Sequence, residues 1–297
     1  MRMHPAYFFL FSVSWLVYGN TLAQDTIENP VEFDHMYTVI PEETYQRIIN
    51  HPIMREVFCN MDRGRPDFSP ITPEKKEAYF RFNNHYFELL SSANKWQEPV
   101  NQIGIGWVTA TDDAHREVYN SLQRYGDNLH MENELDNEGR PQHHTIYVHR
   151  QNTSKRSLLN YWIYAYSRDF LENLYGKQPE PFDFTGKAYW KSSYNPAKLA
   201  SHLVEIGVGL NSEEASVMTD WLSALGFSLE RKEDGYLASS PDITFSISVD
   251  DQTGANLLIY LRVTLNKECF LDPVYFSDDC FIEFLGKEAY WWFRAKK

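Results

Sequence analysis

Cysteine is scarce in this 297-residue chain: there are three, Cys59, Cys269 and Cys280. Their spacing matches no zinc-ligating pattern. Basic charge is short as well, with 28 Lys and Arg against 41 Asp and Glu, a formal net charge of −13. Nucleic acid and anionic membrane both require a basic face, so neither is an expected partner. After the N-terminal segment no apolar run is long enough to read as transmembrane, and no membrane insertion is expected there. A G-x-S-x-G elbow, a Gly-rich phosphate loop and a dinucleotide fingerprint are also missing. The "GIG" at 104–106 reads as strand with small residues.

What the chain does have begins with a leader. Arg2 precedes the short apolar run Ala6 to Val17, and "YGNTLA" follows, with Thr21 and Ala23 where a signal peptidase reads small residues. The run is too short to span a bilayer comfortably, so residues 1–23 are expected to be a signal peptide, with the mature protein periplasmic or secreted. No cysteine follows the cleavage site, which argues against lipid attachment there. An exported protein permits a disulfide, and Cys269 with Cys280, flanking the turn-rich "FLDPVYFSDD", is the expected pair. Cys59 is then a buried or reactive thiol. Aromatics are abundant, with 8 Trp, 19 Tyr and 19 Phe. They suit a wide apolar cleft or a sugar-binding face, and equally a thick β core.

One pattern occurs three times. "FDHMYTVI" is followed by Pro41, Glu42 and Glu43, then Tyr45, Ile48 and Ile49 at helical spacing. "QIGIGWVTA" is followed by Thr111, Asp112 and Asp113, then Val118, Leu122 and Tyr125, ending at Gly126. "LVEIGVGL" is followed by Ser212, Glu213 and Glu214, then Met218, Leu222 and Leu225, ending at Gly226. Thr111 and Ser212 are natural N-caps, the acids suit the helix dipole, and the glycines suit a left-handed C-terminal position. Strand-like segments follow each helix: "AYFRF" and "HYFELLS"; "HHTIYVHR" and "NYWIYAY"; "FSLERK", "ITFSISV" and "LLIYLRVTL". The expected class is α+β, built from repeated βαβββ units. The expected divisions are the leader (1–23), paired units (24–175), a Pro- and Gly-rich linker (176–198), and a third unit with a C-terminal β-hairpin (199–297).

Through the "FDHMYTVI" start, the "YFELL" strand and "WLSALGF", the chain resembles the vicinal oxygen chelate superfamily, the fold of glyoxalase I, fosfomycin-resistance proteins and extradiol dioxygenases. Its layout is also similar to a group of glyoxalase-related bacterial proteins. The resemblance implies half-barrel sheets with helices on the outer face. It also implies metal ligands from the first strand and a late strand of a unit, here His35 and Glu88. Alternation along an extended strand puts Phe33, His35, Tyr37 and Val39 on one face, with Met36 and Ile40 on the other; Tyr86, Glu88 and Leu90 share a face. An imidazole and a carboxylate together suit Zn, Mn, Fe or Ni.

A divalent ion wants three protein ligands or more. Aligning the helix starts puts Ile105 opposite His35 in the second unit and Glu205 opposite it in the third, beside Gly207 and Gly209. His35, Glu88 and Glu205 are therefore one candidate set, although the third unit's late strand offers only Ser246 or Ser248. The alternative for His35 is structural, because a histidine after an aspartate near a strand start often serves as a hydrogen-bonding residue. Glu205 has its own alternative, an ion pair with a nearby Lys or Arg. Glu88 without a metal is a candidate general base. His143 and His149 are too far apart on one strand for a single ion, about 20 Å, and read as edge histidines.

Two functions compete. In one, a divalent metal polarises an oxygen-bearing small molecule for lyase or isomerase chemistry, with Glu88 moving a proton. In the other, a non-catalytic cleft lined by Phe33, Tyr37 and Trp107 sequesters a small hydrophobic or aromatic ligand.

Overall fold

The structure is a computed structural model that describes residues 31–64, 68–109, 111–123, 129–135, 139, 141–148, 159–176, 185, 187, 191–251 and 257–293. The expected leader (1–23), Tyr125, Gly126 and His149 lie outside the described residues, as do the side chains of His143 and His144.

The first quarter runs from β1 (Val31–Ile40) through α1 (Glu42–Asn50) and a π-helical turn (Ile53–Phe58) to β2 (Asn60–Asp62), β3 (Glu77–Arg81) and β4 (Tyr86–Ser91). The second comprises β5 (Ile103–Thr109), α2 (Asp112–Leu122), β6 (Leu129–Leu135), β7 (Pro141–Val148) and β8 (Leu159–Tyr166), followed by α3 (Arg168–Tyr175). The third comprises β9 (Ala200–Leu210), α4 (Ser212–Ala224), β10 (Ser228–Lys232), β11 (Gly235–Ser239) and β12 (Thr244–Val249). The chain closes with β13 (Leu257–Cys269), β14 (Val274–Ser277) and β15 (Cys280–Trp292).

Two open sheets result. One has eight strands in the order β2-β3-β4-β1-β5-β8-β7-β6; the other has seven, β10-β11-β12-β9-β13-β15-β14. The first and last strands of each of the three complete repeats pair in parallel: β1 with β4, β5 with β8, β9 with β12. A parallel pair needs a crossover, and the amphipathic helix supplies it. The repeats meet through antiparallel joints, β1 with β5 in the first sheet and β9 with β13 in the second. The strand β13, which reads in sequence as the end of the third repeat, therefore opens a fourth. That fourth has no helix after its first strand among the described residues, so β13 and β15 pair antiparallel, with β14 outside them.

Helix chemistry is largely as the pattern implies. Thr111 accepts a hydrogen bond from the Ala114 N–H at the start of α2. In the third repeat the cap is Asn211, one residue earlier than expected; it accepts from the Glu214 N–H, and Ser212 instead bonds Asp251. Tyr45, Ile48 and Ile49 of α1 and Met218, Leu222 and Leu225 at the α4 end are buried.

The helix-bearing faces of the two sheets share one apolar core. Phe33 of β1 meets Phe245 of β12 at 5.8 Å between ring centroids, Trp107 of β5 meets Trp221 of α4 at 6.0 Å, and Phe80 of β3 meets Trp291 of β15 at 4.9 Å. Each such ring, fully removed from water, contributes about 1.5–3 kcal/mol. The fold is α+β with repeated βαβββ units, and the opposite, open face of each sheet remains for function.

The cysteine pairing is a correction. Cys59, Cys269 and Cys280 are all buried free thiols. Cys269 sits across from Gly286 in the sheet, while Cys280 sits across from Ser277. Burial raises the Cys280 thiol to about 12 and drives that of Cys59 higher still, so neither is a ready nucleophile.

Candidate functional site

The open face of the first sheet is organised as rows of side chains crossing five strands. One row runs Tyr79, Glu88, Tyr37, Gly104, Asn160 from β3 to β8. The next runs Arg81, Tyr86, His35, Gly106, Trp162. The residues of each row are register partners, and the alternation of strands aims them to one side.

A bulge sets the centre of this face. Phe33 pairs with Trp107 and His35 with the adjacent Gly106, so Asp34 is an extra residue in β1. A bulge re-aims the side chains on either side of it. Phe33 is thereby turned into the core, while Asp34 and His35 both face the open side. Simple alternation put Phe33 beside His35, and that expectation is corrected here. Trp107, which shares the Phe33 register position, is fully buried against Tyr161, Trp221 and Phe245. Neither Phe33 nor Trp107 lines the cleft. Tyr37 does.

Asp34 holds His35. The two are 2.5 Å apart between Oδ2 and Nδ1, and the Tyr164 hydroxyl donates to the same oxygen. A carboxylate only accepts, so Nδ1 must carry a proton, and in the neutral ring Nε2 is bare. Tyr164 sits on β8, far from Asp34 in sequence, and its hydroxyl also lies 3.3 Å from that of Tyr166. Burial and the Asp34 charge keep the Tyr164 hydroxyl protonated well beyond the ordinary phenol range. Tyr86 stacks on the imidazole at 4.4 Å, with the planes 12° apart. Arg81 lies over the Tyr86 ring at 4.9 Å and forms a two-pronged ion pair with buried Asp62 at 2.8 Å on each prong.

His35 Nε2 faces Glu88. The Nε2 to Oε1 distance is 3.8 Å, too long for a hydrogen bond and short enough for a ligand atom to touch both. Beyond this pair stand the half-buried Tyr37, Asn160 and Trp162. The Tyr37 hydroxyl accepts from Asn160 at 3.0 Å and from Gln102 at 3.4 Å, and burial pushes its pKa up to about 12. The glycines make this wall possible. A Cβ on Gly104 would lie 2.0 Å from the Tyr37 ring and 2.6 Å from Trp162; one on Gly106 would lie 2.8 Å from Trp162 and 3.0 Å from His35.

Glu205 does not join His35 and Glu88. It lies on β9 in the other sheet, where its carboxylate takes two donors of Arg262, at 2.8 and 2.9 Å, and the Tyr260 hydroxyl at 2.5 Å. The alignment of Glu205 with His35 is sound, since Ile40 and Leu210 end equivalent strands. The neighbours across the sheet differ. Gly106 leaves space opposite His35, whereas Arg262 fills the space opposite Glu205 with a guanidinium. The ion pair weighed for Glu205 is the arrangement found.

These donors bear directly on the expected resident metal. Two bonds of about 2.1 Å at ordinary coordination angles hold donor atoms about 3.0–3.4 Å apart, so the His35–Glu88 pair would need only a small approach. A third ligand is wanting. Among the described residues no three His, Cys, Asp or Glu side chains are grouped to hold an ion. The described residues therefore do not fit a resident divalent metal. Also among the described residues, no helix is long and apolar enough to cross a membrane.

The aspartate before His35 signalled hydrogen bonding in the sequence, and Tyr86 was placed on the face of Glu88 without its stacking role, but Tyr164 and Trp162 were missed. Their only signal was the aromatic alternation in "NYWIYAY".

No curated protein matches the chain. Among solved structures it is similar to a hypothetical protein from Staphylococcus aureus, with TM-score 0.43 and 12% identity over 77% of this chain and 88% of that one. It is also similar to homoprotocatechuate 2,3-dioxygenase from Brevibacterium fuscum, with TM-score 0.38 and 12% identity over 73% of this chain and 60% of that one. The 2,3-dioxygenase LapB from Pseudomonas sp. KL28 gives TM-score 0.38 and 14% identity over 74% and 70%. A family model matches residues 33–293, from the β1 bulge to the end of the second sheet, and by that match the chain belongs to the family of unknown function DUF5829.

Proposed function

We propose that the open face of the first sheet binds a small oxygen-bearing molecule, and that His35 and Glu88 move a proton on it. The observation that carries this reading is the buried Asp34 carboxylate on His35 Nδ1, which leaves Nε2 as the reactive nitrogen and aims it at Glu88. A base oriented in this way by a third group is the signature arrangement of a catalytic imidazole. In this reading Nε2 takes a proton from a carbon or oxygen of the ligand and becomes imidazolium beside Asp34, and the anion left on the ligand is reprotonated from the same nitrogen or through Glu88. Tyr37 and Trp162 form the ligand's apolar wall, with Asn160 at its polar edge. Membership of the vicinal oxygen chelate superfamily belongs to the proposal and is supported by the threefold recurrence of a helix crossover between parallel first and last strands. Export belongs to it too, on the strength of the N-terminal segment. A resident metal does not.

The second reading is a binding module without chemistry, favoured by the glycine-floored aromatic wall, which needs no reaction to explain it. One experiment separates the two. The protein is incubated in D₂O with dihydroxyacetone, glycolaldehyde and hydroxyacetone, and loss of the exchangeable C–H signals is followed by proton NMR. The proposal expects exchange about 10²–10⁴-fold above buffer, abolished in His35→Gln and Glu88→Gln. Saturable binding without exchange supports the module. Neither binding nor exchange with any of the three contradicts the proposal.

A further inference from the structure

The open face of the second sheet is a different surface from the His35 cleft, and nothing in the preceding reading uses it. Its residues come from alternate positions of β13 and β15. Tyr260 and Arg262 are half-buried while Leu261 and Val263 between and beyond them are core; Glu288, Tyr290 and Trp292 are half-buried while Ala289 and Trp291 are core. Register sets Tyr260 beside Trp292 and Arg262 beside Tyr290. The result is an aromatic cluster with a charged group at its side.

The aromatic part is continuous. Tyr260 lies 5.1 Å from Trp292 and 5.6 Å from Tyr290, and the Tyr290 and Trp292 rings are parallel to within 16° at 5.7 Å. Gly207 is what lets Tyr260 lie down, because a Cβ there would be 2.2 Å from its ring. The charged part is closed on itself. Arg262 bonds Glu205 at 2.8 Å and Glu288 at 2.7 Å, and Tyr260 donates to the other Glu205 oxygen.

We propose that this face is a saccharide-binding site. The chemistry selects the ligand class. An anion would meet a net negative face, where Glu205, Glu288 and the nearby Glu283 outnumber the Arg262 guanidinium, and a cation would have to share with Arg262 the carboxylates it already holds. An uncharged ring rich in hydroxyls meets neither penalty. Its hydroxyls donate to the remaining carboxylate lone pairs, and its C–H face rests on Tyr and Trp, side chains that combine an apolar body with a polar handle. The polar groups are held by one another before any ligand arrives, which lowers the ordering cost of binding.

The test uses the full chain and three named probes, cellotriose, maltotriose and the N-acetylglucosamine trimer. Binding is measured by calorimetry and by tryptophan fluorescence up to ~10 mM, a range that saturates any site with a Kd of about 1 mM or tighter. The result expected is one-to-one binding of at least one probe, weakened about tenfold or more in both Tyr290→Ala and Trp292→Ala and unchanged in Trp162→Ala on the first sheet. Circular dichroism of each variant establishes that it is folded; if Trp292→Ala does not fold, Tyr290→Ala decides alone. The proposal is overturned if none of the three probes binds, if both second-sheet variants bind as tightly as the parent, or if only Trp162→Ala loses binding. Its fate is independent of proton transfer at His35.

Discussion

Gly104→Ala is the perturbation that tests the geometry of the first cleft most severely. The added Cβ would fall 2.0 Å from Cε1 of Tyr37 and 2.6 Å from Cζ3 of Trp162, so two rings must move together. Overpacking of this kind costs about 1–3 kcal/mol, and two simultaneous clashes put the substitution near the upper end. Replacing glycine also stiffens the unfolded chain, which returns about 0.4–1 kcal/mol. The net loss is therefore about 2 kcal/mol. At roughly 2 °C per kcal/mol for a chain of this size, Tm should fall by about 4 °C. Gly209→Ala is the matched control in β9. Its Cβ would meet only the flexible end of Ile259, at 3.3 Å, so its stability should stay within about 0.5 kcal/mol of the parent. Urea unfolding followed by circular dichroism gives both numbers, and tryptophan fluorescence reports displacement of Trp162. In the Tyr37→Ala background the Gly104→Ala cost should shrink, because the closest clash is gone. If Gly104→Ala is as stable as the parent with unchanged fluorescence, or if Gly209→Ala suffers equally, the described packing of Tyr37 and Trp162 on the glycine floor is wrong.

Three further outcomes follow from the structure. Asp34→Ala removes the shared acceptor of Tyr164 and His35 inside the protein and should cost about 2–5 kcal/mol in urea unfolding, whereas Asp34→Asn, which retains one acceptor oxygen, should cost about half as much. Burial pushes the pKa of His85 down to about 4. Between pH 6.5 and 4 the unfolded chain therefore binds more protons at this residue than the folded one, and stability should fall as acid is added by about 1.4 kcal/mol per pH unit, a slope that His85→Phe flattens. Thiol titration in denaturant without reductant should count three free thiols, the native protein should react slowly at all of them, and Tm should not respond to reductant.

The repeat was legible in the sequence because three helices and their flanking strands carry strong local chemistry, from the acids behind Pro41 to the cap at Thr111. The strands β2, β6 and β11 were not read, nor was β14, whose "VYFS" lay inside the segment taken as turn-rich. "NMD", "LHMENEL" and "GYLAS" are short of β-branched and aromatic residues, and pairing with β3, β7 and β12 is what holds them extended. The fourth repeat escaped because it has no described helix to announce its first strand. At the site, His35 and Glu88 came together through the resemblance, and the parallel pairing of "YFELL" with the first strand places them one row apart. Phe33 was misassigned because alternation assumes an unbroken strand, and nothing local marks Asp34 as a bulge. Trp107 followed Phe33 into the core. For Glu205 the alignment was right and the metal role was not: the ion pair weighed beside it is the arrangement found, with Arg262 reaching it from a strand 57 residues away. Tyr164 was beyond reach for the same reason: its bond to Asp34 exists only once β8 has paired with β5.

The chemistry proposed for the first sheet depends above all on Asp34 fixing the His35 ring with Nε2 bare toward Glu88. A long-range ¹H–¹⁵N spectrum of the imidazoles reads this directly, with the His35 resonances assigned by their loss in His35→Gln. The account predicts that the neutral ring carries its proton on Nδ1, and that Asp34→Ala erodes this preference. A proton on Nε2 in the parent protein would contradict it.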